Sequence, residues 1–282
     1  MTAVRRPAFL PTSRGDLFTL DFLPAGNVAA ADLTVVVVPS FAEEMNRSRR
    51  CCVLLAERLA TIGCRTTLFD FSGTGDSHGD FAAARLQDWR ADLRDVAAHA
   101  RATGARRLVL LGVRFGALLA AEAAVAADAE ALVLWQPAPE GAVVVSQFRR
   151  LAAAAKLVGK KIDTAATEAE TASLPEIAGY SFSQSLADDL AELHLSQSLA
   201  ACQQPSAWFE MTTRAEQGLS PAAVRVLKSL AATRSTRIVE RSIIGPAFWS
   251  TTEITVSDAL IAATVEFVVD APHQVTGSHA HG

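Results

Sequence analysis

The chain has 282 residues, half of them hydrophobic and a fifth charged, with a formal net charge of −4. Length and apolar content suit one α/β domain with an insertion and a large buried core. The slight negative balance argues against a general nucleic-acid or anionic-membrane binder.

Phe9 and residues 17–22 read as an antiparallel entry hairpin around the turn-type run Arg14-Gly15-Asp16. Residues 34–38, TVVVV, are a continuous β-branched run of the kind needed by a strand covered on both faces, and Pro39 ends it. A helix is expected over 48–62, stopped by Gly63. Residues 65–71 form the next strand, followed by the Gly-rich loop Ser72-Gly73-Thr74-Gly75-Asp76. An amphipathic helix covers 86–103. Then come a strand at 107–111, an Ala-rich helix at 117–127 and the buried strand ALVLW at 131–135. Short apolar strands alternating with helices predict an α/β fold with a doubly wound, mostly parallel sheet.

The pattern changes at residue 139. Up to 201 the sequence is Ala-rich and charged, with no strand of the earlier type, and predicts a helical cap inserted over the sheet's carboxyl edge. Strands at 207–211 and 236–243, a helix at 221–232 between them and a last helix at 256–269 complete the core. The expected division is therefore a core of 1–138 and 202–270, a cap of 139–201 and a disordered tail of 271–282.

Cys51, Cys52, Cys64 and Cys202 show no metal-ligand spacing and predict reduced thiols. The N-terminal run MTAVRRPAFLPTSRGD carries two arginines but no apolar stretch behind them, and residues 35–38 are far too short to span a bilayer. A soluble cytoplasmic protein without metal or cofactor is expected.

In an open α/β sheet, ligands bind at the carboxyl ends of the strands. Five segments should converge there: 39–47, 70–76, 114–115, the loop after Trp135, and 245–249. The third is the most informative. A buried strand, the turn Gly112-Val113-Arg114-Phe115-Gly116 and a helix make the nucleophile elbow of α/β-hydrolases, whose motif is G-x-S-x-G. Here the nucleophile's position holds Arg114, and a guanidinium stays protonated and cannot attack a carbonyl. Two readings of Arg114 stand open. It tethers a loop by pairing with Glu43, Glu44 or Glu253, with Glu44 the expected partner. Alternatively, it sits beside the amides of a helix N-terminus as a site for an anionic group.

Phe41, Ala42, Glu43 and Glu44 follow a core strand, where hydrolases place a loop that donates one oxyanion-hole N–H. Helix capping by the acids is the plainer alternative. Asp76 closes a G-x-G too short for a dinucleotide fingerprint. His78 and Asp80 follow it in a loop. The remaining parts of a triad are missing. Glu210 lies near the usual place of the acid, but no histidine occurs between Ile243 and Val269. His273, His279 and His281 lie in the expected tail, and His99 and His194 read as structural. Cys51 and Cys52 lack a base. The candidate pocket residues are Arg114, Phe115, Phe41, Ala42, Glu43, Glu44, Asp76 and Glu253.

Five runs taken together carry a resemblance: PSFAEEMNRSRR (39–50), DFSGTGDSHGDF (70–81), QDWRADL (87–93), LLGVRFGALLAAE (110–122) and GPAFWSTTEI (245–254). They resemble the second of two α/β-hydrolase-like types that accompany bacterial exosortase A systems, over about 34–265. The arginine at the elbow is part of that likeness, since the first type keeps a serine. The resemblance implies a bacterial protein from an exopolysaccharide and surface-protein-sorting gene neighbourhood, called a hydrolase by fold and without a defined substrate. Two functions are expected from different classes. One is a non-catalytic protein that binds an anionic small molecule or partner at the elbow pocket. The alternative is a hydrolase or acyltransferase acting on ester or glycan-linked acyl groups through water activated by Glu43, Glu44 or Asp76.

Overall fold

A computed structural model describes residues 3–26, 32–159, 180, 183–236 and 238–276. Eight strands form one sheet: β1 Val4–Thr12, β2 Gly15–Leu23, β3 Leu33–Val38, β4 Arg65–Phe69, β5 Arg107–Val113, β6 Ala131–Trp135, β7 Ser206–Thr212 and β8 Ile238–Ile244. Their spatial order is β1-β2-β4-β3-β5-β6-β7-β8. The entry hairpin β1–β2 is antiparallel and joins β4 antiparallel; every pairing from β4 to β8 is parallel. The helices are α1 Glu43–Ala60, α2 Leu86–Ala102, α3 Gly116–Ala123, α4 Gly141–Gly159, α5 Gln184–Ala191, α6 Leu195–Ala201, α7 Pro221–Leu230 and α8 Asp258–Thr276.

The two-residue period of the strands divides the core into two layers. Val35 and Val37 of β3, with Val109 and Leu111 of β5, point to the side covered by α1 and α8. Val36, Val38, Leu108 and Leu110 point to the other side, against α2, α3 and α6. Both faces of TVVVV are therefore dry, as its composition requires. Trp135, at the end of β6, is fully buried and donates its indole N–H to Thr264 Oγ1 of α8 at 2.9 Å, tying that helix to the sheet's centre.

Two boundaries differ from expectation. Helix α1 begins at Glu43 rather than 48. Ala42 turns the chain at a φ of 50°, after which the Glu44 and Met45 amides bond back to the Phe41 and Ala42 carbonyls. Glu43 and Glu44 therefore occupy the first turn, where the helix dipole favours acids. Helix α8 extends to Thr276, so residues 271–276 continue the helix where a disordered tail was expected; 277–282 lie outside the described residues. Between β6 and β7 the described residues hold α4, α5 and α6, a β-bridge between Glu140 and His194, and no strand. Most of 160–182 in the expected cap lies outside the described residues.

Candidate functional site

The site begins with a backbone constraint. Strand β5 ends at Val113, and Arg114 turns into α3 with a φ of 56°, in the left-handed region that side chains other than glycine adopt only when the surroundings fix them. The surroundings do so here. The Arg114 amide donates to the Trp135 carbonyl at 2.9 Å, and its own carbonyl accepts from the Ala117 and Ala138 amides, each at 3.2 Å. The flanking glycines are steric necessities. A Cβ on Gly116 would lie 2.2 Å from the Val38 carbonyl oxygen, and one on Gly112 would lie 2.4 Å from the Ala117 Cα. Strand β5, its helix and the end of β3 approach each other too closely for any side chain at these two positions.

The Arg114 side chain is 12% exposed and heavily engaged. Its Nε donates to both carboxylate oxygens of Glu44, at 3.3 and 3.4 Å, and its Nη2 to Glu44 Oε1 at 3.2 Å. Nη2 also donates to Gln147 Oε1 at 3.1 Å, and Nη1 to the Gln136 carbonyl at 3.3 Å. The guanidinium carbon lies 5.0 Å from the centroid of the Trp249 ring, a cation–π contact. Four of the five expected segments thus meet at Arg114: the start of α1, the β5 turn, the loop after β6 and the loop after β8. Helix α4 adds Gln147.

Of the three acids weighed as partners, only Glu44 is within ion-pair distance of Arg114. Glu43 faces its own helix, accepting from Asn46 Nδ2 at 3.0 Å and pairing with Arg47 at 3.4 Å. Glu253 is exposed and forms no ion pair among the described residues. The loop that carries it still reaches the site through Trp249, and Arg47 lashes it to α1 by donating to the Thr251 carbonyl. Asp76 is exposed, and its amide is held at 3.1 Å by Asp70 Oδ2. Asp70 is fully buried, paired with Arg49 at 2.5 Å, and organises the Gly-rich loop by accepting from the Asp76 amide and the Ser77 hydroxyl. Phe41 and Phe115 lie in the core beneath the turn, ring centroids 5.6 Å apart; Phe41 also touches Phe81, Trp89 and Phe148 edge-on. Ala42 is buried with them.

The other residues considered for a triad fall elsewhere. Glu210 lies within β7, 4% exposed, and accepts from the Ser220 amide at 2.6 Å and hydroxyl at 3.0 Å. It holds the N-terminus of α7, which Ser220 caps through the Ala223 amide. His78 packs its ring against Gly15, His194 precedes α6, and His99 lies in α2. No described contact joins any of them to Arg114. His279 and His281 lie outside the described residues. The four cysteines are buried free thiols. Burial pushes the Cys51 thiol up to about 11 and Cys52 higher still, so neither is a thiolate near neutral pH. Among the described residues, no group of three acids, histidines or cysteines could hold a metal, and no helix is long and apolar enough to cross a membrane.

A cavity of about 110 Å³ adjoins Arg114 under α4 and the start of α7. Gln136, Gln147, Trp208, Glu210 and Ser220 supply its polar wall, and Pro137, Pro139, Val143 and Ala222 its apolar wall. Sequence reasoning missed Gln136, Gln147 and Trp208. Gln136 stands at the predicted strand end with a φ of 44°, its amide on the Phe209 carbonyl at 2.7 Å. Gln147 and Trp208 carry no local signal, since only the packing of α4 and β7 brings them to the turn.

The strand order, the flanking helices and the tight β5–α3 turn define an α/β-hydrolase fold. Residues 29–194 match the family described as serine aminopeptidase S33, and the chain belongs to it. Solved structures agree on the fold. Est1E from Butyrivibrio proteoclasticus with bound ferulic acid is 16% identical, with 94% of this chain and 99% of that chain aligned at a TM-score of 0.67. An esterase of Pyrococcus furiosus is 12% identical over 95% of this chain and 91% of that one, TM-score 0.65. A soluble variant of the monoglyceride lipase of Saccharomyces cerevisiae is 11% identical over 96% of each chain, TM-score 0.63. No curated protein matches the sequence.

Proposed function

We propose that this chain is a cytoplasmic, non-catalytic member of its family, of the exosortase A-associated type 2 kind, that binds an anionic small molecule or partner group at the elbow pocket. One observation carries the reading: the residue in the nucleophile's strained position is an arginine whose guanidinium is already held by Glu44, Gln136, Gln147 and Trp249. The geometry that elsewhere presents a serine hydroxyl presents a positive charge, and Trp249 occupies the loop after β8, where a triad histidine would come. Glu44 then acts as a placeholder. It neutralises Arg114 in the free protein, and its partly exposed position in the first turn of α1 lets it swing aside when a ligand anion takes over the guanidinium. Water-activated hydrolysis fits less well, because Glu43 and Glu44 are engaged by Arg47 and Arg114, and Asp76 makes no described contact with any of them.

The test is labelling with a fluorophosphonate probe, with turnover of p-nitrophenyl acetate as its companion. The expected result is no stoichiometric labelling and no turnover above buffer. Labelling of a pocket serine ends the proposal.

A further inference from the structure

We infer that the trough between α2 and α3 binds a medium-chain fatty acid, with the carboxylate on Arg94 and the tail lying along the trough. This site is independent of the elbow and of Arg114. The trough has a volume of about 610 Å³ and lies between the two helices on their outer side. Leu93, Ala97 and Leu119 form its floor, none more than 5% exposed. Ala98 from α2, Ala123 from α3 and Ala126 from the turn after α3 form its walls. Alanine is too short to fill the space between the helices. Ala98 and Ala126 also stand at exposed positions, where a surface helix ordinarily carries polar or charged side chains. A contiguous apolar channel left open to water is the kind of surface that marks a ligand groove.

Charge identifies the occupant's head group. Arg90, Arg94 and Arg101 recur at helical spacing along one face of α2, and all three line the trough. The outer two are committed. Arg90 Nε pairs with Glu122 Oε1 at 2.9 Å, and Arg101 Nη2 with Asp128 Oδ2 at 3.6 Å. Each pair crosses from α2 to α3 or the turn after it, and together they mark the two ends of the trough. Arg94 stands between them, exposed, with no hydrogen bond or ion pair among the described residues. The complement to one uncommitted cation beside an apolar floor is a single anion on an apolar body. A carboxylate matches the guanidinium fork with two acceptor oxygens. A sugar phosphate would instead lay hydroxyls on Leu93 and Leu119, which offer them no partner. A partner helix, about 10 Å across with its side chains, would ride on the two end pairs, whereas an extended chain lies between them.

Dimensions set the tail. From Arg90 to Arg101, α2 rises about 16 Å at 1.5 Å per residue. At about 30 Å³ per water-sized unit, 610 Å³ takes roughly twenty non-hydrogen atoms. Laurate, with roughly fourteen such atoms, stays inside that volume, whereas propionate leaves most of the floor bare. The exposed walls leave one side of the tail in water. Each methylene therefore gains about half of what complete burial gives.

Isothermal titration of the whole protein with sodium octanoate, decanoate and laurate, each below its micelle-forming concentration, and with uncharged decanol tests this. Laurate should bind saturably at one site. From octanoate to laurate, each added pair of methylenes should tighten binding about fourfold, against roughly fifteenfold for complete burial. Arg94→Gln should weaken laurate about three- to fivefold, the worth of an exposed ion pair, and leave decanol unchanged. Ala98→Leu combined with Ala126→Leu fills the trough from two exposed positions and should abolish binding of both ligands while the urea midpoint stays that of the parent. Laurate binding unchanged in the filled variant overturns the inference, as does decanol binding as tightly as decanoate, or no laurate binding at all. Sedimentation velocity and vesicle flotation separate the other occupants. A ligand-free dimer that the filled variant dissociates assigns the trough to a second copy. Phosphatidylglycerol vesicles that hold the parent but not the filled variant, without binding of monomeric laurate, assign it to a membrane surface. Either result refutes the fatty-acid site.

Discussion

Replacing Arg114 by serine restores the G-x-S-x-G motif and tests the site from two sides. Breaking a fully buried ion pair costs about 3–5 kcal/mol, and an exposed one about 0–1 kcal/mol. Glu44 is 28% exposed and its bonds to Arg114 are 3.2–3.4 Å long, so it can rehydrate when abandoned; its share is about 1–2 kcal/mol. The stranded Gln136 carbonyl adds about 1 kcal/mol and the lost Trp249 stack about 0.5–1 kcal/mol. Freed rotamer entropy of the long side chain returns about 1 kcal/mol. The net expectation is a loss of about 1.5–3 kcal/mol, or a fall in Tm of roughly 5 °C for a chain of this size. Arg114→Gly should cost about 1 kcal/mol less than Arg114→Ser, because glycine carries no penalty at a φ of 56°. A double-mutant cycle with Glu44→Gln should give a coupling of about 1–2 kcal/mol. Urea unfolding monitored by circular dichroism gives these values. The serine variant should not hydrolyse p-nitrophenyl acetate, since Glu44, Gln147 and Trp249 surround position 114 and none is a histidine. Stability within about 0.5 kcal/mol of the parent would refute the network's energetic role. Ester hydrolysis well above the parent would reveal a general base that the described contacts do not contain.

Other outcomes are equally definite. Gly116→Ala should yield insoluble or unfolded protein, because the new Cβ would meet the backbone oxygens of Val38 and Pro39 at 2.2 and 2.5 Å; soluble, native-like protein would mean that the turn can open. Glu210→Gln should destabilise by about 1–2 kcal/mol through the start of α7, and Ser220→Ala by about 1 kcal/mol, with less than additive loss in the double variant. Desolvation raises the folded-state pKa of Cys51 to about 11, above its unfolded value. Its neutral form therefore favours the folded state fully below about pH 8.5, and that contribution is lost as pH rises towards 11. Cys51→Ala should flatten the alkaline fall of stability between those values, and an unchanged slope would show that the thiol titrates alike in both states.

The features legible in the sequence share a physical trait: they are imposed locally. TVVVV announces a strand dry on both faces, and Gly112 and Gly116 announce a turn with no room for side chains. Glu44 was expected at Arg114 because two adjacent acids follow a core strand. The start of α1 escaped because Ala42 bends the chain at a positive φ, which alanine does not advertise. Helix α8 runs on through Pro272, a residue that ordinarily ends a helix. Gln147 lies 33 residues from Arg114 and reaches it only when α4 crosses the turn. Trp208 reads in the sequence as an ordinary core residue of a strand. Its N–H is buried without a partner among the described residues, which no local pattern announces.

Among the described residues, three of the four non-glycine residues with positive φ, namely Ala42, Arg114 and Gln136, lie just beyond the carboxyl ends of β3, β5 and β6. Strands β3, β5 and β6 are neighbours in the sheet, so the strained residues stand side by side along one stretch of its edge. Each costs about 1–3 kcal/mol, and strain of that size persists only where the surroundings over-determine it. The bonds that do so form a chain: the Arg114 amide on the Trp135 carbonyl, the Gln136 amide on the Phe209 carbonyl, and the Arg114 guanidinium on both the Gln136 carbonyl and Glu44. Arginine therefore does more than replace a nucleophile. Its guanidinium bridges the loops after β3 and β6, and Trp249 from the loop after β8 closes over it. A serine hydroxyl is too short to make any of those contacts. The same reach that removes serine chemistry gives the strained edge its cross-brace, and Gln147 and the Trp208 cavity lie directly beside that brace.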